Sequence, residues 1–100
     1  MHIGLIGGIG PAATVVYYER LVAAFRAMGK PLELTIAHAD VDTLAANAAA
    51  DNRAAQAEVY AHHLAQLKGA GADAGSITSL GGHFCYAETE AISPLPLISA

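Results

Sequence analysis

The sequence predicts one α/β domain, a three-layer sandwich in which helices cover both faces of a parallel, four-stranded sheet. Short apolar runs alternate along the chain with segments whose apolar residues recur at three- and four-residue spacing, which gives the order β-α-β-α-β-α-β. The apolar runs are continuous, as in strands that are buried on both faces. With 100 residues, the chain has room for one domain and not for two.

The first strand and helix are marked by glycines. A strand is predicted at residues 2–6, an apolar run that ends at a glycine pair. A helix is predicted at residues 11–28, because a proline suits its first position and Gly29 can end it. The spacing of the larger side chains predicts which of them face the sheet. They are Thr14, Tyr18, Leu21, Phe25 and Met28.

The second strand is predicted at residues 32–37, and two helices follow it. Asp42 or Thr43 can cap the first of these helices, which is short. Asp51 or Asn52 can cap the second, which runs through residue 68. The buried face of this longer helix is predicted from its spacing. It consists of Ala57, Tyr60, Leu64 and Leu67.

The last third of the chain predicts a strand at residues 74–79, a helix at 83–91 and a fourth strand at 94–98. All four strands are expected to run parallel, with right-handed crossovers. The sequence stops directly after the fourth strand, and no helix follows to cover that side. We therefore expect the chain to be a fragment or the first half of a longer protein.

Composition excludes several classes of protein. The net charge is −4 and only five residues are Lys or Arg, so the basic surface of a nucleic-acid-binding protein is missing. No run of 18 apolar residues is present, so no membrane-spanning helix is predicted. Cys85 is the single cysteine, which excludes an internal disulfide and fits a reducing cytoplasm. The chain is 54% hydrophobic, but 23 of those residues are alanine, so its large apolar side chains are few.

The carboxyl ends of parallel strands are where ligands of open α/β sheets bind. Three polar or glycine-rich segments meet there, at residues 7–10, 38–42 and 79–83. The first contains G-x-G-x-x-A, which is typical of a dinucleotide pyrophosphate site at a helix N-terminus. Pro11, however, removes an N–H group from that terminus. A dinucleotide site and a simple strand-to-helix turn both stay open.

Three stretches of the sequence occur in the same order as in a known enzyme family. The first is IGLIGGIGPAAT followed by YYERL, the second is GAGADAGSITSLGGHFC and the third is PLPLIS. Together they resemble the aspartate/glutamate racemases, which are cofactor-independent amino-acid racemases. Residues 7–11 match that family's GGMGP-like turn, and residues 79–83 match its Cys-Asn-Thr-Ala-His-like segment. The resemblance covers the whole chain.

The resemblance implies a protein of two flavodoxin-like halves with the active site in the cleft between them. This chain, residues 1–100, would be the N-terminal half. Each half would supply one thiol, of which one removes the α-proton and the other reprotonates the opposite face, without a cofactor. A thiolate suits this task because its pKa can be brought near the operating pH. Backbone N–H groups at glycine turns can hold the α-carboxylate.

The chain departs from the family at the first catalytic position, where Ser79 stands in place of the cysteine. A serine hydroxyl needs an activating partner before it can act as a base, and His83 lies four residues on. We therefore predict Ser79 and His83 as catalytic residues. The predicted substrate-binding residues are Gly8, Ile9, Gly10, Arg53, Leu80, Gly81 and Gly82.

Other candidate residues have simpler interpretations. Cys85 is either a buried small hydrophobe or a reactive thiol, and the sequence leaves both open. His38, Asp40 and Asp42 are interpreted as polar loop residues and a helix cap, and no metal site is predicted. The pair His62-His63 lies within a helix, so at most one of the two can face inward.

The sequence thus predicts an amino-acid racemase that acts by α-proton abstraction and reprotonation on a small carboxylic acid or amino acid. Three alternatives stay open: a one-thiol decarboxylase or isomerase of the same fold, a non-catalytic module that binds a small acid, and a dinucleotide-binding domain. The expected partner is a second domain or a second copy in a dimer, and neither nucleic acid nor a membrane.

Overall fold

A computed structural model describes residues 1–8, 11–78 and 80–98, with the backbone alone at residues 80–82. Its elements, in chain order, are β1 (His2–Gly7), α1 (Pro11–Ala27), β2 (Glu33–His38), α2 (Val41–Ala49), α3 (Arg53–Gly69), β3 (Ala74–Ile77), a 3-10 helix (Leu80–Cys85) and α4 (Tyr86–Ile92). None of the described helices is long and apolar enough to cross a membrane.

The three strands form one parallel sheet in the order β2-β1-β3. Successive residues of β1 face opposite sides, as expected for a strand. Ile3 and Leu5 pack with Phe25 of α1, while Ile6 packs with Tyr60 of α3 and the rest of the larger core. Helices therefore cover both faces of the sheet, and the predicted three-layer α/β class is confirmed.

The predicted fourth strand is reduced to a single bridge in the described residues. Leu97 pairs with Gly75 of β3: the Ile98 N–H donates to the Gly75 carbonyl (2.8 Å), and the Gly75 N–H donates to the Pro96 carbonyl (2.9 Å). The N–H groups at positions 94 and 96 would point the same way as that of Ile98, because strand residues alternate. Both are prolines without an N–H group, so the ladder cannot extend toward the start of this segment.

The expectation that every strand is buried on both faces fails for β2. Each of its residues is exposed or half-buried and none is fully buried, and Ile36 keeps 41% of its surface exposed. The cause is position, because β2 pairs only with β1 and lies at the edge of the sheet. The central strand β1, in contrast, is buried from Ile3 to its end.

Helix α1 faces the sheet with a slightly different set of residues from the predicted one. Thr14 and Phe25 are buried, and Tyr17 and Leu21 pack beside them. Tyr18 is 49% exposed, because two adjacent helical residues cannot both face the sheet and Tyr17 occupies the inner position. Met28, which lies just beyond the end of the helix, is also exposed.

Helix α3 lies close to the sheet because two strand positions carry no side chain. Leu67 packs over Gly4 of β1 and Leu64 over Gly75 of β3. A Cβ atom added at Gly4 would lie 2.8 Å from Leu67 Cδ1, and one at Gly75 would lie 2.6 Å from Leu64 Cδ2. The predicted buried face of α3 is confirmed, since Ala57, Tyr60, Leu64 and Leu67 are all buried.

The helix boundaries differ from the predictions at two places. Asp40 caps α2 instead of Asp42 or Thr43, whereas Asn52 caps α3 as predicted through a bond from the Ala55 N–H (3.2 Å). The helix predicted at 83–91 begins at Tyr86, because the 3-10 turns of Leu80–Cys85 precede it.

The close approach of α3 to the sheet predicts the effect of Gly75→Ala. The added methyl group overlaps Leu64, so the free energy of unfolding should fall by about 1–3 kcal/mol in urea titrations. Gly69→Ala is the matched control, because no atom lies near its added Cβ. It should be neutral or raise the free energy of unfolding by up to about 1 kcal/mol. Combining Gly75→Ala with Leu64→Ala should cost less than the sum of the single changes, and strict additivity would contradict this packing.

Candidate active site

The three strands end together at one edge of the sheet, at Gly7, His38 and Ile77. This carboxyl edge, which follows from the parallel arrangement, is where the sequence places its candidate residues. Of those candidates, Gly8 directly follows β1, and the 3-10 helix that contains His83 begins shortly after β3.

Gly8 occupies a position that only glycine can fill. Its φ angle is +144°, and a Cβ atom there would overlap the carbonyl oxygen of Ala39. The same two chain segments are joined by a hydrogen bond from the Ala39 N–H to the Gly7 carbonyl (2.7 Å). Gly8 is therefore pressed against the chain as it leaves β2, which fixes the path of the backbone at this point of the carboxyl edge.

A buried pair of threonines joins three elements at this edge. Thr78 donates twice to the Ile6 carbonyl, through its backbone N–H (3.1 Å) and its hydroxyl (2.9 Å). With that hydroxyl proton engaged, Thr14 of α1 donates to Thr78 Oγ1 across 2.9 Å. A Cβ atom at Gly7 would lie only 2.6 Å from Thr14 Oγ1, so this glycine makes room for the pair. The pair fixes the backbone next to position 79.

Thr78 was missed in the sequence analysis, and Thr14 was recognised only as a sheet-facing residue. The signal available in the sequence was a hydroxyl residue at the end of a strand whose other residues are small or apolar. Such a hydroxyl must find a hydrogen-bond partner when it is buried.

Several predicted site residues are not tested by the structure. Ile9, Gly10 and Ser79 lie outside the described residues. For Leu80, Gly81 and Gly82 the structure gives the backbone, which begins the 3-10 helix. The predicted contact of Ser79 with His83, and the carboxylate-binding roles of the glycines, therefore stay predictions.

His83 lies within the 3-10 helix and is half-buried. Its ring packs against the ring of Tyr86, with centroids 5.5 Å apart and planes tilted by 57°. This contact holds the imidazole at the start of α4. Its distance from a substrate is not tested by the described residues, so its catalytic role also stays a prediction.

Arg53, the remaining predicted binding residue, is paired with carboxylates of the chain itself. It is the first residue of α3, and its Nε lies 3.2 Å from Asp51 Oδ1. Its Nη1 lies 3.9 Å from Glu88 Oε1 of α4, and about half of its side chain is exposed. A substrate carboxylate would have to compete with both partners for this guanidinium group.

Asp40 gives the carboxyl edge a negative charge. Its Oδ2 accepts hydrogen bonds from the Thr43 N–H (2.9 Å) and the Thr43 hydroxyl (2.8 Å). These two bonds, and to a lesser extent nearby His38, hold the pKa of Asp40 below its usual value. Across the described ranges, no group of three or more His, Cys, Asp and Glu residues could hold a metal ion.

Cys85 belongs to the hydrophobic core and is fully buried. Burial raises the pKa of its thiol above the usual value, and Thr89 Oγ1 lies 3.6 Å from its Sγ. The thiolate that a reactive cysteine needs is therefore disfavoured at neutral pH. Of the two interpretations left open by the sequence, these observations favour the buried hydrophobe.

An apolar cavity of about 220 Å³ opens at the carboxyl edge between α1 and β2. We call it the α1–β2 cavity. Its walls include Gly7, Gly8, Val15, Tyr18, Ile36 and His38. Thr14, which bonds to Thr78, also lines it, so the cavity adjoins the threonine pair.

Comparison with known proteins identifies the family of the chain. The sequence profile described as Asp/Glu/Hydantoin racemase matches residues 6–100. The chain belongs to this racemase family. The resemblance to aspartate/glutamate racemases stated from the sequence motifs is thus confirmed.

Two solved structures share the racemase fold of the chain. An aspartate racemase homologue from Pyrococcus horikoshii superposes with a TM-score of 0.83 at 21% identity. A candidate Asp/Glu racemase from Yersinia pestis superposes with a TM-score of 0.88 at 24% identity. Each comparison covers 98% of this chain and 44% of the solved chain, so the racemase-family chain spans less than half the length of these two proteins. A search of curated proteins found no significant match.

The buried threonine pair predicts a coupled loss of stability. Thr78→Val leaves the Thr14 hydroxyl without its acceptor, and Thr14→Val removes only one bond to Thr78. Unfolding in urea should show a loss of about 1–3 kcal/mol for Thr78→Val and a smaller loss for Thr14→Val. The double variant should lose less than the sum, because the second change removes a group that is already unpaired. Additive losses would show that the two hydroxyls do not interact.

The buried position of Cys85 predicts slow reaction with thiol reagents. At pH 7 the native protein should react with iodoacetamide at least ten times more slowly than the unfolded protein, because the thiol is both inaccessible and protonated. The control is Ala87→Cys in a Cys85→Ala background, since residue 87 lies two positions further on, in α4, and is exposed. Rapid modification of native Cys85 would instead support a reactive thiol.

Proposed function

We propose that the chain forms the N-terminal half of a cofactor-independent racemase that inverts the α-carbon of an amino acid. The observation that carries this proposal is the family match over residues 6–100. The 44% coverage of two solved relatives supports the assignment to one half of a longer protein. The second half, or a second copy in a dimer, would complete the site. We retain the cytoplasm as its location within this proposal.

The proposed reaction is a pair of proton transfers. A base on one face removes the α-proton, the electron pair moves toward the α-carboxylate, and an acid on the other face returns a proton to the carbon. Backbone N–H groups of Gly8, Gly10, Gly81 and Gly82 would stabilise the negative charge that develops on the carboxylate. The close contact of Gly8 with Ala39 supports this role for the Gly8 N–H, because such donors act best when they are already in place.

Ser79 and His83 form the proposed catalytic pair of this half. A serine hydroxyl becomes a useful base only when a neighbouring group accepts its proton, and His83 would take that part. The cysteine of the other half would act on the opposite face. If Ser79 takes no part, one thiol still suffices for the decarboxylation or isomerisation of a small acid, which is the alternative on this fold.

The test is α-proton exchange in D₂O by the full-length protein, measured with a panel of amino acids by NMR and mass spectrometry. We expect deuterium at the α-carbon and loss of optical purity in the same experiment. Ser79→Ala and His83→Gln should each lower the exchange rate by at least 100-fold, on the scale usual for general acid–base groups. Ser79→Cys should keep or raise the rate, because a thiolate forms more readily than an alkoxide.

Other outcomes would assign the alternatives. Saturable binding of a small acid without exchange would favour a binding module. Release of CO₂ from the substrate would favour a one-thiol decarboxylase. Binding of NAD(H) or NADP(H) in titrations would favour a dinucleotide site. Exchange that is unchanged in both Ser79→Ala and His83→Gln would overturn the residue roles and leave the activity in place.

A further inference from the structure

We propose that this site takes an amino acid with an uncharged apolar side chain, of the size of leucine or phenylalanine, and that the side chain enters the α1–β2 cavity. The inference rests on the proposed function and names its substrate class. It predicts that aspartate and glutamate are poor substrates.

The α1–β2 cavity lies beside the part of the backbone that is proposed to hold the α-carboxylate. Gly7 and Gly8 form one wall, and the hydrogen bond between Thr14 and Thr78 links a second wall to the backbone next to position 79. A substrate whose carboxylate sits on this turn therefore has the cavity within reach of its α-carbon substituent.

Beside the polar side chains of Thr14 and His38, most of the cavity wall is apolar surface that the fold otherwise leaves exposed. Val15 and Tyr18 of α1 and Ile36 of β2 are 51%, 49% and 41% exposed. They come from two separate elements and converge on this one space. Exposed apolar surface gathered in a concave site is typical of a ligand site, because its burial by a ligand stabilises the complex.

The size of the cavity suits a branched or aromatic side chain. Its volume is about 220 Å³. An apolar cavity of about 150 Å³ is large enough to bind benzene. A benzyl or isobutyl group therefore fits, and the methyl group of alanine would leave most of the space unfilled.

The charges at this edge oppose an acidic side chain. None of the described residues that line the cavity is a lysine or arginine. Arg53 is paired with Asp51 and Glu88, and Asp40 beside His38 is ionised at neutral pH because Thr43 stabilises its carboxylate. A second carboxylate brought to this edge would meet the like charge of Asp40, and the imidazole of His38 is the one group among the described lining residues that could offset it.

The first experiment compares substrates with the full-length protein. The exchange rate in D₂O, expressed as kcat/KM, is measured for leucine, methionine and phenylalanine against alanine, aspartate and glutamate. We expect leucine or phenylalanine to exceed aspartate and alanine by at least tenfold, since one methylene group in an apolar pocket changes kcat/KM by about tenfold or more. A preference for aspartate or glutamate would overturn this inference and leave the racemase proposal intact. No exchange with any amino acid would overturn both.

The second experiment reduces the volume of the cavity by enlarging one of its lining residues. Val15→Trp should lower kcat/KM for leucine and phenylalanine at least tenfold and leave alanine within about threefold. Val16→Trp is the matched control, because Val16 is the next residue of α1 and similarly exposed (42%) but does not line the cavity. It should leave every substrate unchanged. An equal loss on all substrates in Val15→Trp, or the same loss in both variants, would overturn the inference.

A third variant adds a positive charge to the cavity, and it tests the inference even if Val15→Trp is unstable. Ile36→Arg places a cation in the wall of the cavity at a half-exposed edge-strand position. It should raise kcat/KM for aspartate relative to leucine by at least tenfold. An unchanged ratio between the two substrates would contradict the assignment of the side-chain site to this cavity.

Discussion

The absence of side chains at Gly4 and Gly75 is the constraint on which the larger of the two hydrophobic cores, on the α3 side of the sheet, depends. Leu64 and Leu67 occupy the space that a Cβ atom at either position would need, so α3 lies directly on the sheet. The 3-10 helix, α4 and α2 are in turn packed against α3, and Cys85 and Leu95 complete the same core. A chain with so many alanines has few large side chains to fill gaps between its elements. The close approach of α3 to the sheet backbone keeps the core tightly packed without them.

Local patterns predicted those elements whose environment follows from their own sequence. The buried face of α3 and the Asn52 cap were predictable because spacing and capping act within one or two helical turns. The exposure of β2 was not predictable, since the order of the strands decides which of them lies at the edge of the sheet. The choice between Tyr17 and Tyr18 as the inner residue of α1 also depends on how the helix is rotated against its neighbours, and the two are adjacent aromatics of one type.

The candidate site shows the same division. The need for glycine at position 8 was predictable because a strand that ends in glycines before a helix needs an unusual backbone angle, while the binding role of Gly8 stays a prediction. The nearby hydrogen bond between Thr14 and Thr78 was not predictable, because the two residues are 64 positions apart and no short-range pattern indicates their contact. Arg53 was proposed as a substrate ligand from its place in the sequence. Only the folded chain shows that Asp51 and Glu88 are already beside it.

The pairing of β1 with β3 has a consequence for the order in which the site can form. Ile3 pairs with Ala74, and the His2 N–H donates to the Asp73 carboxylate across 71 residues. Contacts so distant in sequence require the closure of a long loop, which slows folding. The contacts of Thr78 with Ile6 therefore cannot form until β2 and the intervening helices have been synthesised. During synthesis, the N-terminal glycine turn must wait for most of the domain before it becomes part of a binding site.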